Sequence, residues 1–346
     1  MKSLTEIKSR LICPTHRDTL KLDPCIATIQ GVPWPDSQIS CPKGCIFRIE
    51  QGIPRFVRQD NYASAFGLQW KRYQKTQLDS YTKEPISRQR LEQSLGAALD
   101  ELKGRVVLEC GSGAGRFTEL LIDNCALLVS LDLSDAVDAN LKNCSGKKPY
   151  VLCQADINQS PLPRHFFDVV ICIGVIQHTP SPEQTICSLS EHLKPGGLLV
   201  IDHLTVKSFL HRVSRFLTVR YPLRAILKRL PPEVGLKATI ALTAICDPIR
   251  KRTCKHFWLD HIASRIFPTA CLYGSYPQLD PRIVYEWNEL DTHDYLTRWY
   301  DHVRTPQEID RCLSQLGFER ITCTYGGNGV EARAILPAKT EDMRIP

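Results

Sequence analysis

A short apolar run, Arg105-Val-Val-Leu-Glu-Cys110, leads straight into Gly111-Ser-Gly-Ala-Gly115 and then into the helix-forming stretch Arg116 to Asn124. Strand, glycine turn and helix in this order open a doubly wound α/β sheet, and few other folds accommodate them. Glycine at 111, 113 and 115 lets the backbone pass close to a ligand in conformations that a β-carbon forbids. A dinucleotide fingerprint asks for glycine or alanine at position 116; the arginine there disfavours a pyrophosphate cofactor.

The segments that follow repeat the unit. Leu127 to Leu131 is a second strand ending in Asp132 and Leu133, where a carboxylate can accept hydrogen bonds from ribose hydroxyls. Tyr150 to Cys153 runs into Gln154-Ala-Asp156-Ile157, and Phe167 to Ile173 reads as a buried central strand opening into Gly174-Val-Ile-Gln-His-Thr-Pro180. Ser181-Pro-Glu-Gln184 has capping-box spacing with proline at the first helical position, so a helix begins there and stops before Lys194-Pro-Gly-Gly197. Leu198 to Asp202 completes five β/α elements, which right-handed crossovers assemble into a parallel sheet with helices on both faces. Ligands bind such sheets at the carboxyl ends of the strands, where Gly111, Asp132, Asp156, His178 and His203 fall. A second capping box, Thr305-Pro-Gln-Glu308, starts a helix that ends at Gly317. Phe318 to Cys323 and Glu331 to Leu336 then supply two closing strands. The stretch 203–304 between strand five and that helix is too long for a loop and predicts a helical cap over the substrate side.

"FG-x-QW" at 66–70, "QLDSYT", "VVLECGSGAGRFTE", "DLSDAVDAN", "GVIQHTP", "LKPGG" and "DTHDYL" together resemble class I, Rossmann-like methyltransferases, with a core similar to the ubiquinone/menaquinone type. The resemblance implies a seven-stranded sheet, S-adenosylmethionine as methyl donor and a defined set of contacts to it. Glu109 and the glycine turn (Gly111, Gly113, Gly115) would meet its amino-acid part, Asp132 and Leu133 its ribose, Asp156 and Ile157 its adenine. Gly174 would line the same site, with Gln69 and Trp70 over its mouth. Proton removal from an oxygen or nitrogen acceptor needs a base with a pKa near neutral, and His178, on the loop after strand four, is the candidate. His203, Asp291, His293 and Asp294 are candidates for the acceptor pocket; Arg298, Tyr300 and Asp301 are weaker ones.

Ahead of this core, Cys13-Pro-Thr-His16 and Cys41-Pro-Lys-Gly-Cys45 read as two knuckles of a tetrahedral zinc site, with Cys25 able to replace His16. The segment resembles the zinc ribbons of the small tRNA-methyltransferase-activator kind that are fused ahead of bacterial methyltransferases. A ribbon this small has a marginal core of its own, so metal would supply much of its folding free energy. The expected organisation is a ribbon over 1–60, a helical connector over 61–100 covering the cofactor mouth, and a methyltransferase domain over 101–346.

Most of the fifteen cysteines fall singly inside apolar segments and read as reduced core residues. The opening residues lack a signal-peptide pattern and the longest apolar run, Ala238 to Cys246, is too short to span a bilayer, so a cytoplasmic location is expected. The net charge of +7 is concentrated between His203 and Pro232, where Lys207, Arg212, Arg215, Arg220, Arg224, Lys228 and Arg229 stand with no acidic residue. Phe209, Leu210, Val213, Phe216 and Leu217 interleave with them on a helical stripe, which suits contact with the inner membrane surface through residues 207–229, or a lipid-linked or phosphorylated acceptor. A small-molecule, glycan or lipid-linked acceptor is the first reading. An RNA methyltransferase gripping phosphates with ribbon and cap is the second, disfavoured by the absence of a dense Arg/Lys-aromatic pattern. A catalytically silent cofactor-binding scaffold is the third, and the intact Glu109, glycine turn, Asp132 and Asp156 speak against it.

Overall fold

The computed structural model describes residues 4–22, 37–57, 62–206, 218–327 and 329–338. Cys25, Lys207, Arg212, Arg215 and the stripe Phe209 to Leu217 lie outside the described residues.

Strands β5 (Val106–Cys110), β6 (Leu127–Asp132), β7 (Val151–Gln154), β8 (Phe167–Cys172) and β9 (Leu193–Leu204) form a parallel sheet in the order β7-β6-β5-β8-β9. Then β11 (Gly329–Ile335) adds antiparallel to β9, and β10 (Glu319–Gly326) antiparallel to β11, which completes seven strands. Four of the five residues of β5 are apolar and all five are buried, as expected for a strand covered on both faces. Free, buried Cys110, Cys153 and Cys172 are core residues of these strands.

Local chemistry fixes the helices flanking the sheet. Ser181 caps α7 (Pro182–Ser190) by accepting from the Gln184 N–H, with proline at the first turn. Thr305 and Glu308 close a reciprocal capping box on α12 (Pro306–Gln315), as the spacing predicts. The expected connector is broken rather than continuous: α2 (Ser64–Arg72), one turn α3 (Asp79–Thr82) and α4 (Ile86–Leu95), which ends on Gly96 at φ 66°. Asp79 supports the last break by accepting from the Ser87 and Arg88 N–H groups. Between β9 and α12 the cap consists of α8 (Arg220–Leu227), α9 (Pro232–Thr253), α10 (Phe257–Ile266) and α11 (Pro281–Thr297).

The N-terminal segment is joined to the sheet more closely than a separate ribbon would be. After α1 (Leu4–Ser9), strands β1 (Lys21–Leu22), β2 (Ser37–Ser40), β3 (Ile46–Glu50) and β4 (Ile53–Arg55) pair antiparallel in sequence, and β4 lies parallel to β7, so the sheet runs on to eleven strands. An uncovered β7 edge would leave a row of unpaired backbone groups. The Phe56 N–H bonds Gln154 O at 2.8 Å, and the Ile12 N–H bonds Pro161 O at 2.8 Å. Arg55 ties the junction from the side, with Asp138 at 2.6 Å and Gln154 Oε1 at 2.8 Å. Ile7, Leu11, Ile39, Ile49 and Phe56 are buried in the same cluster as Leu131, Val151 and Leu162. Shared apolar burial therefore supports the ribbon together with any metal.

Candidate functional site

A cavity of ≈ 550 Å³ lies at the carboxyl ends of the parallel strands, with α2 and α11 above it. Its floor begins at the glycine turn. Gly111, Gly113 and Gly115 have φ of 77°, 51° and 96°, the left-handed region that side chains avoid. A β-carbon at Gly111 would strike Val175, and one at Gly113 would reach 3.4 Å from the Trp70 indole. Asp132 holds the turn open. Its carboxylate accepts from the Gly113 N–H at 2.8 Å and from the Ser134 N–H and hydroxyl at 2.8 and 2.7 Å. Three of about four acceptor positions are thereby filled, leaving roughly one for a ligand. Burial pushes the Asp132 pKa up, against these hydrogen bonds. Asp156 caps the turn Ile157–Gln159 by accepting from the Asn158 N–H at 2.8 Å. Behind Gly174, whose N–H donates to it, Asp202 is also paired with Arg90 at 2.6 Å.

Helix α11 supplies the roof. Trp287, Leu290, Asp291, Asp294 and Arg298 follow one another at helical spacing and face the cavity, with Tyr295 beside them. Arg298 is neutralised by Asp294 at 3.1 Å and Asp301 at 2.7 Å. Asp291 has no hydrogen-bond or ion-pair partner among the described residues. Burial first, then the neighbouring Asp294, pushes its carboxyl up to about 7. Arg116 reaches the same space from the β5–α5 loop, ahead of α5 (Thr118–Asn124), held by the Ser87 hydroxyl at 2.9 Å and Gln77 Oε1 at 3.1 Å and lying over the Trp287 ring. Desolvation and then Arg90 lower its pKa to about 9, so it stays charged at neutral pH.

The residues expected from sequence divide cleanly. Gln69, Trp70, Gly111, Gly113, Asp132, Leu133, Asp156, Ile157, Gly174, His178, Asp291 and Asp294 line the cavity. Glu109, Gly115, His203 and His293 do not. Glu109 is fully enclosed behind the turn, accepting from Thr118 and Ser130 hydroxyls at 2.6 and 2.7 Å, and burial raises its carboxyl to about 7. Gly115 faces α6 (Ala136–Asn143), where a β-carbon would meet Asn140 and Cys144. His203 turns its Nδ1 to Leu204 O at 2.8 Å, and His293 turns its own to the Thr239 hydroxyl at 3.1 Å. Burial lowers both histidines to about 4. His178 lies against Phe66, with Nδ1 3.3 Å from Tyr300 O and Nε2 3.3 Å from the Gln177 amide nitrogen, and burial lowers its pKa. Both of its ring nitrogens are engaged. Sequence reasoning missed Arg116 and Trp287; helical spacing read along α11 would have found the latter.

Cys13, His16, Cys41 and Cys45 converge so that their ligand atoms all lie within 4.8 Å of one another. His16 Nδ1 is 3.5 Å from the Cys41 and Cys45 sulfurs and 3.9 Å from that of Cys13. A tetrahedral zinc with ordinary Zn–S and Zn–N bonds sets this edge at about 3.5 Å. Backbone N–H groups of His16 and Lys43 point at the Cys13 and Cys41 sulfurs at 3.4 Å, which favours thiolates.

Residues 108–201 match the family described as a methyltransferase domain. Similar relatives include the ubiquinone biosynthesis O-methyltransferase of Coxiella burnetii, 28% identical over 117 residues that cover 32% of this chain and 50% of that one. The tRNA U34 carboxymethyltransferase of Hydrogenovibrio crunogenus is 34% identical over 115 residues, covering 31% of this chain and 35% of that one. Among solved structures, a SAM-dependent methyltransferase from Aquifex aeolicus is 15% identical, covers 73% of this chain and 98% of that one, and has a TM-score of 0.39. The chain spans about half the length of the first curated relatives it matches.

Proposed function

With residues 108–201 a class I methyltransferase domain, we propose that this protein transfers a methyl group from S-adenosylmethionine to a small, polar acceptor enclosed under α11. The observation that carries the reading is the set of polar atoms left over in the cavity wall. Gln69 Oε1, Ser112 Oγ and Gln177 Oε1 are buried without partners beside the glycine turn, Asp132 and Asp156. Buried polar atoms seldom stay unsatisfied, so these fit a ligand rich in amino, hydroxyl and amine groups. When bound, that donor supplies an activated methyl on a sulfonium. The chain's part is alignment and proton removal. Asp132 would hold ribose, Asp156 and Ile157 the adenine, and the glycine turn the amino-acid end.

Asp291 would take the acceptor's proton, and Arg116 would face an anionic or hydrogen-bond-accepting group on the acceptor. An unpartnered carboxyl near neutrality suits a general base better than His178, whose two ring nitrogens already have partners. The enclosure of this space favours a small molecule, glycan fragment or lipid headgroup over RNA. Membrane contact through 207–229 would rest on its remaining free cations, since Arg220 is spent over Tyr295 and Arg224 on Arg298 O and Trp299 O. No helix among the described residues is long and apolar enough to cross a membrane.

Incubating the purified protein with labelled donor and fractionated host extract tests the assignment. Label should enter the small-molecule or lipid fraction; label in RNA alone would refute the acceptor class, and no donor binding by calorimetry would refute the whole reading. We further propose that the Cys13-His16-Cys41-Cys45 cluster holds one structural zinc. Elemental analysis should find about one equivalent, lost in Cys41→Ser with a lower melting temperature.

A further inference from the structure

Helix α10 presents the wrong face to solvent for an ordinary cap helix. Trp258 is 75% exposed, Ile262 55% and Ile266 54%, and these three stand four residues apart along one line of the helix. Phe257 at 77% and Leu259 at 51% widen the stripe. The one buried residue of α10 is Ala263. An amphipathic helix that packs on its own protein turns large apolar residues inward; here the small residue faces in and the aromatic and branched ones face out. Apolar residues scattered singly over a surface need no partner, but five within ten positions form a patch that does.

The charges around it indicate which partner. Lys251, Arg252 and Lys255 immediately precede α10 and Arg265 lies near its end; all four are exposed, and none has a carboxylate partner among the described residues. From Pro248 to Leu279 the only acidic residue is Asp260, which is turned to Arg250 at 3.0 Å. A second copy of this chain would set like charges against like. An anionic bilayer instead meets both features, since apolar residues enter the boundary of headgroups and acyl chains while lysine and arginine stay among phosphates. Tryptophan is favoured at that depth.

We propose that the outer face of α10, with Lys251, Arg252 and Lys255 beside it, seats this protein on an anionic lipid surface. The assignment is independent of the methyl-transfer reading, because none of these residues lines the cavity.

Co-sedimentation of the full chain with lipid vesicles tests it, using phosphatidylcholine alone and phosphatidylcholine mixed with phosphatidylglycerol. Binding should be roughly tenfold or more stronger to the anionic vesicles and weaken as salt rises. The double variant W258E/I262E should lose it while keeping the wild-type melting temperature and donor affinity. K251E/K255E should reduce anionic binding without affecting folding. Equal partition of wild type and W258E/I262E would overturn the proposal. So would a concentration-dependent dimer by light scattering that W258E/I262E abolishes, since the occupant would then be a second copy. Absence of vesicle binding together with a lower melting temperature for W258E/I262E would also overturn it, assigning the face to a segment of this chain.

Discussion

The floor and the roof of the cavity handle charge in opposite ways. On the floor, each carboxylate is satisfied by backbone or hydroxyl donors close by: Asp132 by Gly113 and Ser134, Asp156 by Asn158. On the roof, Arg298 is held by two carboxylates while Asp291 is left with none and is raised to about 7. Satisfied groups are rigid and keep their charge, which suits binding a constant donor. An isolated, desolvated acid has a pKa that burial can tune and a proton that it can exchange, which suits chemistry on an acceptor.

The sharpest way to break this division is Asp291→Asn. If Asp291 takes the proton, kcat should fall by about 10²- to 10⁴-fold while donor affinity, measured by calorimetry, stays within about threefold. The working form is the ionised one, so wild-type kcat should climb with pH on an acid limb centred near 7 and level off above it. The asparagine variant should lack that limb. A retained limb in D291N would move the base elsewhere, with His178 next in line.

Asp132→Ala probes the floor and should act the other way. Losing a charged acceptor should weaken donor binding by roughly 100-fold, and the Gly113 N–H would lose its partner. Should kcat at saturating donor drop as far as in D291N, floor and roof would not be separable. Arg116→Met is expected to be milder, raising KM for the acceptor by roughly tenfold with donor affinity unchanged, because its present partners Ser87 and Gln77 are neutral and removing it strands no opposite charge.

The floor was legible in the sequence because each of its parts is written in a few consecutive residues: strand, turn and cap repeat within single β/α units. Roof residues come from a cap whose helical phase is set by packing. Asp291, His293 and Asp294 look equivalent in Asp-Thr-His-Asp, yet on α11 the aspartates share the cavity face and His293 points at Thr239 on α9. His203 failed by strand alternation of the same kind: it follows Asp202 on β9, and a shift of one residue moves a side chain to the other face. The ribbon's docking on β7 was hidden because an edge strand carries no mark of what covers it. Arg116 was read only for the cofactor that it excludes.

Glu109 provides the finest test of the comparison, because its place in the glycine motif implies donor contact while the structure encloses it behind the turn. Glu109→Gln keeps an oxygen for Thr118 and Ser130 and removes the titration. Since burial raises the folded carboxyl to about 7 from its ordinary 4.5, the native state holds a proton there that the unfolded chain releases. That contribution favours the fold below about 4.5 and declines as pH rises towards 7, by up to about 1.4 kcal/mol per unit. Denaturant titrations of E109Q should therefore show a flatter stability profile between pH 5 and 7 than wild type, with donor affinity within about threefold. A tenfold loss of affinity at unchanged stability would instead make Glu109 part of the donor's wall, and the floor would then contain an under-satisfied acid of the kind found in the roof.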